Sequence, residues 1–453
     1  MPPKRIRAGM NRKKNNDKST VEINTSNQEN TSPAETGSSK SAVGKPTGSR
    51  KRAPVADNTS EERPSTSVQG PSTSEPQRKA VKKIELVINP PPTGEAVKEP
   101  ELDYGEGGYY PVNDGQVLNR RYKTQKMLGN GYFATVHLAE DRMTNTLVAV
   151  KIVRGDERDQ KSAEKEIGFM EKIKEATGSE SSHTGSENVV TLLDNFRING
   201  KECVHVAMVF EVLGMDLYSV LYKSNQRKLT LNRIRSFSKD ILQGLHFLHT
   251  KCKIMHLDLK PENLLVKVDP HNMDLSDPSC NASLKIGDFG QSEYTTDSLA
   301  GRVQSCHWRA PEIFLESKIT PLADIWSVGC ILYEMTTREL LFECLGIDNC
   351  QPKPHLSDIS ELLGPLKMRF FKKYDSNAAI LDEVFGEEKV FDKNSEETNL
   401  ISAKEMMKKN PMTMSEADEI CELMRELLMI NPGQRLSAKE ALKHPFFTED
   451  CSE

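Results

Sequence analysis

The chain has 453 residues, 36% of them hydrophobic and 28% charged, with a formal net charge of −5 and nine cysteines. An odd number of cysteines, all after residue 200 and none in a Cys-x-x-Cys spacing, excludes a zinc ribbon and a disulfide framework and implies a reducing compartment. No apolar run approaches the roughly 18 residues of a membrane span, and the basic start lacks the apolar core of a signal peptide, so the expected locations are cytoplasm and nucleus, without a membrane.

Residues 1–100 carry 18 Lys+Arg against 11 Asp+Glu and no aromatic residue, whereas the remainder of the chain is left with a net −12. A segment rich in Ser, Thr, Pro and Asn with nothing aromatic to bury cannot form a core, so 1–100 is expected to be a disordered basic extension. Its clusters, Lys4-Arg5-Ile6-Arg7, Arg12-Lys13-Lys14, Arg50-Lys51-Arg52 and Arg78-Lys79 with Lys82-Lys83, suit nuclear-import signals or weak RNA contacts, and equally suit solvated filler; no stable nucleic-acid binding is expected. Length alone suggests about three domains, but residues 101–447 read as one unit followed by a short acidic tail, 448–453.

The first patterned segment is Leu128-Gly129-Asn130-Gly131-Tyr132-Phe133-Ala134-Thr135-Val136, a strand, a tight turn and a second strand. Gly129 and Gly131 lack the Cβ that would keep backbone amides away from phosphate oxygens. One strand later comes Val148-Ala149-Val150-Lys151, where period two puts Ala149 and Lys151 on one face. Lys151 is then placed to meet the α and β phosphates of a nucleotide while Ala149 and Val136 cover its base. Between Asp159 and Lys174, Ala163, Ile167, Met170 and Ile173 recur at three- and four-residue steps, predicting an amphipathic helix that carries Glu166 near its inner edge. Glu166 is the expected partner of Lys151, with Glu164 as the alternative.

The densest chemistry is His256-Leu257-Asp258-Leu259-Lys260-Pro261-Glu262-Asn263, followed by Asp288-Phe289-Gly290. A γ-phosphoryl group leaving ATP spreads negative charge over its oxygens, which calls for Mg²⁺ ligands, a cation near the phosphates and a carboxylate to accept the incoming hydroxyl's proton. Asp258 fits the base, Lys260 the cation, and Asn263 with Asp288 the metal ligands. Between the two metal ligands, Lys267 to Ser283 reads as an inserted loop, because Asp, Pro, Asn and Ser dominate it.

Downstream lie Gln304-Ser305-Cys306-His307-Trp308-Arg309-Ala310-Pro311-Glu312, the apolar run from Asp324 to Leu332, and Arg435 in an Asn-Pro-x-x-Arg pattern. In Pro354 to Gly364, Asp358 and Glu361 stand three apart and share a face if the segment is helical, which by itself is an ordinary solvated face.

From about Gly107 to Phe447 the chain resembles the eukaryotic protein kinases and, within them, the SR-protein kinases, which phosphorylate serines of Arg-Ser-rich splicing factors. Beyond the motifs above, the resemblance rests on Gly107-Gly108-Tyr109-Tyr110-Pro111-Val112, on Asn119-Arg120-Arg121-Tyr122, on the stretch from Val189 to Phe196 and on Met208 to Gly214. It implies an α+β bilobal fold: a small β-rich lobe (about 122–210), a hinge (211–214) and a large helical lobe (about 215–447). Backbone groups of Glu211 and Leu213 would bond adenine, Phe210 would close the back of the pocket, and Leu128, Asn130 and Leu265 would complete it. Asp324 would hold the catalytic loop's backbone, Glu312 and Arg435 would pair in the large lobe, Ser305 would reach Asp258 and Lys260, and Asp358 and Glu361 would offer two carboxylates for docking arginine-rich substrates.

Leu257 stands where many kinases carry arginine, so no cation is available there for a phosphorylated loop to clamp, implying constitutive activity. Cys306 occupies a position where the family usually has arginine, and the insertion is far shorter than the spacer that SR-protein kinases carry there. The expected activity is that of a monomeric serine/threonine kinase using ATP and Mg²⁺ on Arg-Ser-rich proteins. A LAMMER-type or dual-specificity kinase is the enzymatic alternative, although 354–364 departs from that group's signature. A scaffold pseudokinase is the non-enzymatic one, disfavoured because every phosphate and metal position is filled.

Overall fold

In the computed structural model, residues 102–178, 183–224, 228–268, 274–277, 279–297, 303–315, 318–344, 352–364 and 412–448 are described. The extension expected over 1–100 and the tail after Thr448 lie outside the described residues.

The small lobe is a six-stranded antiparallel sheet of β1 (Val117–Leu118), β2 (Tyr122–Asn130), β3 (Ala134–Asp141), β4 (Thr146–Val153), β5 (Leu192–Asn199) and β6 (Val204–Glu211), in the order β1-β2-β3-β4-β6-β5. Alternation in β4 sorts its side chains. Val148, Val150 and Ile152 are buried with Tyr122, Ala207 and Val209 on the outer face, under Tyr110 and Val112 of the preceding segment. Ala149 and Lys151 take the other face, and register adds Val136 opposite Lys151 and Phe210 opposite Ala149.

Helix α1 (Glu157–Thr177) is capped by Asp156, whose carboxylate accepts from Arg158 N at 2.9 Å. It begins two residues earlier and ends three later than the periodicity predicts. Its buried face is Ala163, Glu166, Phe169, Met170 and Ile173. Ile167, expected on that face, is only partly buried, because Phe169 supplies the bulk instead.

The large lobe is built on α2 (Leu231–Phe247), α4 (Leu322–Thr337) and α6 (Met414–Leu427), with the shorter α3 (Pro311–Phe314) and α5 (Pro352–Leu363) beside them. In α4 every residue from Ala323 to Thr336 is buried, as an apolar-all-round sequence requires of a helix at the centre of a lobe. Two-stranded ribbons pair β7 (Ile254–Met255) with β10 (Glu293–Tyr294) and β8 (Leu264–Val268) with β9 (Ala282–Ile286). The second ribbon corrects the loop reading of 267–283, since Lys267 pairs with Ser283 and Val268 with Ala282. Polar residues hid strands whose pairing is satisfied by each other.

The connection between the lobes is tied to β8: Gly214 N donates to Val266 O at 2.7 Å and Val266 N to Met215 O at 2.9 Å. A Cβ on Gly214 would stand 2.9 Å from the Val266 carbonyl oxygen, so this approach admits only glycine. No helix among the described residues is long and apolar enough to cross a membrane.

Candidate active site

Two side-chain clusters meet between the lobes. In the first, Lys151 Nζ donates to both carboxylate oxygens of Glu166 at 2.9 Å and to Asp288 Oδ1 at 3.4 Å. The alternative Glu164 is turned away and pairs with Arg197. Burial alone would depress the Lys151 ammonium, but Asp288 and Glu166 outweigh it and the net shift is upward, which keeps the charge fixed. Burial likewise pushes the Glu166 carboxyl up, in spite of Lys151. Lys151, with Lys260 farther off, holds the Asp288 carboxyl below its usual range.

The second cluster surrounds Asp258, which is 9% exposed. Its Oδ2 accepts from Lys260 Nζ at 2.8 Å and its Oδ1 from Ser305 Oγ at 2.7 Å, while Lys260 also donates to Ser305 at 3.3 Å. The Asn263 amide nitrogen donates to the Asp258 carbonyl oxygen at 2.8 Å and to Oδ2 at 3.2 Å, which turns the amide oxygen the other way. These contacts fix the rotamer of Asp258 and hold its carboxylate against the Lys260 ammonium.

The loop itself is held from below. Asp324, fully buried at the start of α4, accepts from His256 N at 2.9 Å and Leu257 N at 2.8 Å. His249 Nε2 lies 2.8 Å from the same carboxylate; burial works against that charge, yet the hydrogen bonds prevail and the carboxyl is held low. His256 Nε2 faces the Gly287 carbonyl oxygen at 2.9 Å and its Nδ1 faces Asp258 N at 3.2 Å, which assigns the ring proton to Nε2. Leu257 and Asp288 both sit at φ +60°, a conformation costing about 1–3 kcal/mol for such residues and sustained here by these bonds.

Half-buried apolar residues from both lobes flank the clusters: Leu128, Val136, Ala149 and Phe210 from the sheet, Leu213 from the hinge and Leu265 from β8. Gly129 and Asn130, exposed at the end of β2 and paired with Val136 and Thr135, lead through the exposed Gly131 into the turn to β3. The side chain of Glu211, expected to act through its backbone, bonds Lys285 Nζ at 2.6 Å and Thr191 N at 3.0 Å. Asp358 and Glu361 are exposed on one face of α5.

The oxygens of Asn263 and Asp288 are the hard donors that a magnesium-like ion takes, and two protein ligands leave room for phosphate and water. Among the described residues no group of three or more His, Cys, Asp or Glu forms a competing metal cluster. An ion held there would neutralise charge on the transferring phosphoryl group. Asp258 would orient a hydroxyl and take its proton, Lys260 would face the γ-phosphate, and Lys151, braced by Glu166, the inner phosphates.

The protein kinase domain family matches residues 122–447. The chain belongs to that family. It is a serine/threonine protein kinase and binds ATP. It is 31% identical over 394 residues to the serine/threonine-protein kinase SRPK of Physarum polycephalum, covering 77% of this chain and 90% of that protein. It is 30% identical over 360 residues to the serine/threonine-protein kinase AFC2 of Arabidopsis thaliana, covering 75% of this chain and 80% of that protein. With the human dual specificity tyrosine-phosphorylation-regulated kinase 3 it shares 38% identity over 240 residues, 53% of this chain and 37% of the other.

Sequence reasoning missed Gln304. This residue is buried at φ +67°, donates to Ala323 O at 3.0 Å and Ser327 Oγ at 3.1 Å, and accepts from Ala310 N at 2.8 Å. It thereby pins the segment carrying Ser305 to α4. Nothing in local periodicity marks such a residue, since its partners lie 6 to 23 positions away.

Proposed function

We propose that this kinase uses Mg²⁺-ATP to phosphorylate serines in Arg-Ser-rich proteins, of the kind that serve mRNA splicing, and that it does so without activation-loop phosphorylation. The observation that carries the substrate reading is the acidic face of α5. Asp358 and Glu361 are both exposed there, and burial, Glu361 and Glu343 together push the Asp358 carboxyl up. Two further acids close enough to Asp358 to disturb it suit a ligand bringing several positive charges. The net −12 outside the first 100 residues adds steering for such a ligand. The name of the Physarum relative supports the same substrate class.

Constitutive activity is supported by Leu257, fully buried where a cation would have to wait for a phosphate, and by Gln304 and Ser305, which hold the segment with no phosphate involved. The basic clusters of 1–100 support work in both nucleus and cytoplasm.

The test is phosphoryl transfer from Mg²⁺-ATP to an Arg-Ser repeat peptide and to an acidic peptide, with phosphatase-treated protein and with Asp258→Ala. Transfer confined to the basic peptide is expected, unchanged by phosphatase, and falling about 10²- to 10⁴-fold in the variant. Preference for the acidic peptide would sink the substrate assignment. Equal labelling of tyrosine and serine would favour the dual-specificity reading, to which the likeness to the human kinase points.

A further inference from the structure

The glycine turn is exposed from Gly129 to Phe133, and such a turn needs something to hold it in place. The Tyr109 hydroxyl lies 2.9 Å from the carbonyl oxygens of both Gly131 and Tyr132, donating its single hydrogen between them. Tyr109 belongs to a segment anchored on both sides. Just before it, Gly108 O accepts from Gly155 N at 2.8 Å and Gly107 O from Asp156 N at 3.0 Å, so the segment grips the N-cap of α1. Just after it, Tyr110 and Val112 pack on the outer core of the sheet, with the Tyr110 ring 5.3 Å from that of His205. Arg154 completes the join: its guanidinium stands 5.3 Å from the Tyr109 ring and 5.7 Å from that of Tyr132, and its backbone N–H donates to Phe133 O at 2.9 Å.

We propose that Tyr109 is a positioning residue for phosphoryl transfer, a latch that fixes the glycine turn relative to the start of α1, the helix whose Glu166 holds Lys151. The inference rests on the nucleotide phosphates lying beneath that turn. Without the latch the turn samples more backbone states, and ordering it becomes a cost of nucleotide binding. The loss should therefore fall on KM for ATP, while the chemical step, run by the buried catalytic loop, is spared.

Tyr109→Phe removes the hydroxyl and keeps the ring beside Arg154. Expected are a KM for ATP raised about 3- to 10-fold, the worth of one or two hydrogen bonds, kcat within twofold of the parent, and faster amide hydrogen exchange at 129–134. Gly108→Ala, whose methyl would overlap the Asp103 carbonyl oxygen and displace the segment, should give the same signature more strongly. A KM for ATP within twofold of the parent in Tyr109→Phe, whatever happens to kcat or melting temperature, overturns the proposal, as does unaltered exchange at 129–134. Calorimetry on the unmodified full chain separates the two levels. If it takes up no Mg²⁺-nucleotide, the site reading fails and the latch with it; if it does and Tyr109→Phe binds equally well, only the latch fails.

Discussion

On the proposed reading, the loop carrying Asp258 and the glycine turn would address the same chain of phosphates from opposite sides, and they are built in opposite ways. His256, Leu257, Asp258 and Asn263 are buried, and the backbone of His256 and Leu257 hangs from Asp324 in α4, the most enclosed of the described helices. Gly129, Gly131, Tyr132 and Phe133 are exposed, and Tyr132 stands 75% in solvent. The tasks explain the difference. A proton acceptor must be placed to within a fraction of an ångström, whereas a phosphate cover must release its nucleotide in every cycle.

If the large lobe is the rigid partner, breaking its bracing should cost far more than any change in the turn. Arg435 donates to Glu312 at 2.7 and 3.0 Å, to Leu322 O at 2.7 Å and to Met429 O at 2.9 Å, with both side chains at most 1% exposed. Arg435→Ala strands the Glu312 carboxylate in the interior and should lower stability by about 3–5 kcal/mol, read from urea denaturation. A loss under about 1 kcal/mol would mean that water reaches the pair and that the lobe is less closed than its burial indicates.

A buried glutamate in the same helix sharpens the contrast with pH. Glu334 accepts from Tyr222 Oη at 2.8 Å and Trp308 Nε1 at 3.0 Å, yet burial pushes its carboxyl up to about 7 from an ordinary 4.5. Between those two values the folded protein holds a proton that the unfolded chain has released, so stability is greatest at the acid end and declines as pH rises through the window. Glu334→Gln cannot titrate, and its amide can accept from Trp308 while donating to the Tyr222 hydroxyl. From pH 5 to pH 8 the parent should lose on the order of 2–3 kcal/mol relative to the variant. Parallel urea midpoints across that range would refute the assignment.

The same divide governs what the amino-acid sequence reveals. The residues assigned to phosphate and metal sit in short contiguous runs, because one loop or strand must present such groups together; Lys151, Asp258, Asn263 and Asp288 could be picked out for that reason. Glu166 was legible because helix periodicity placed it, although Phe169 rather than Ile167 fills that face. The supports were not legible. Gln304, Lys285 and Tyr109 bond partners up to 96 positions away through groups that any residue's backbone or many side chains could offer. The β8–β9 ribbon escaped for a related reason: its last two rungs, Lys267 with Ser283 and Val268 with Ala282, adjoin a stretch of sequence dominated by Asp, Pro, Asn and Ser, and pairing rather than composition makes them strands.

Glycine at position 129 separates the demands of fold from those of function. A Cβ built there meets nothing within 4 Å, and its φ is not in the left-handed region, so the folded chain gives no reason for glycine. Gly129→Ala should change stability by less than about 0.5 kcal/mol, and alanine's smaller loss of freedom on folding pulls even that toward a gain. If phosphate oxygens approach the amides of this turn, the added methyl stands in their way, and KM for ATP should rise about 3- to 10-fold at unchanged melting temperature. A variant that binds ATP like the parent would reduce the turn to an ordinary hairpin and leave the phosphates to Lys151 and Lys260 alone, because nothing in the packing of β2 and β3 asks for a glycine there.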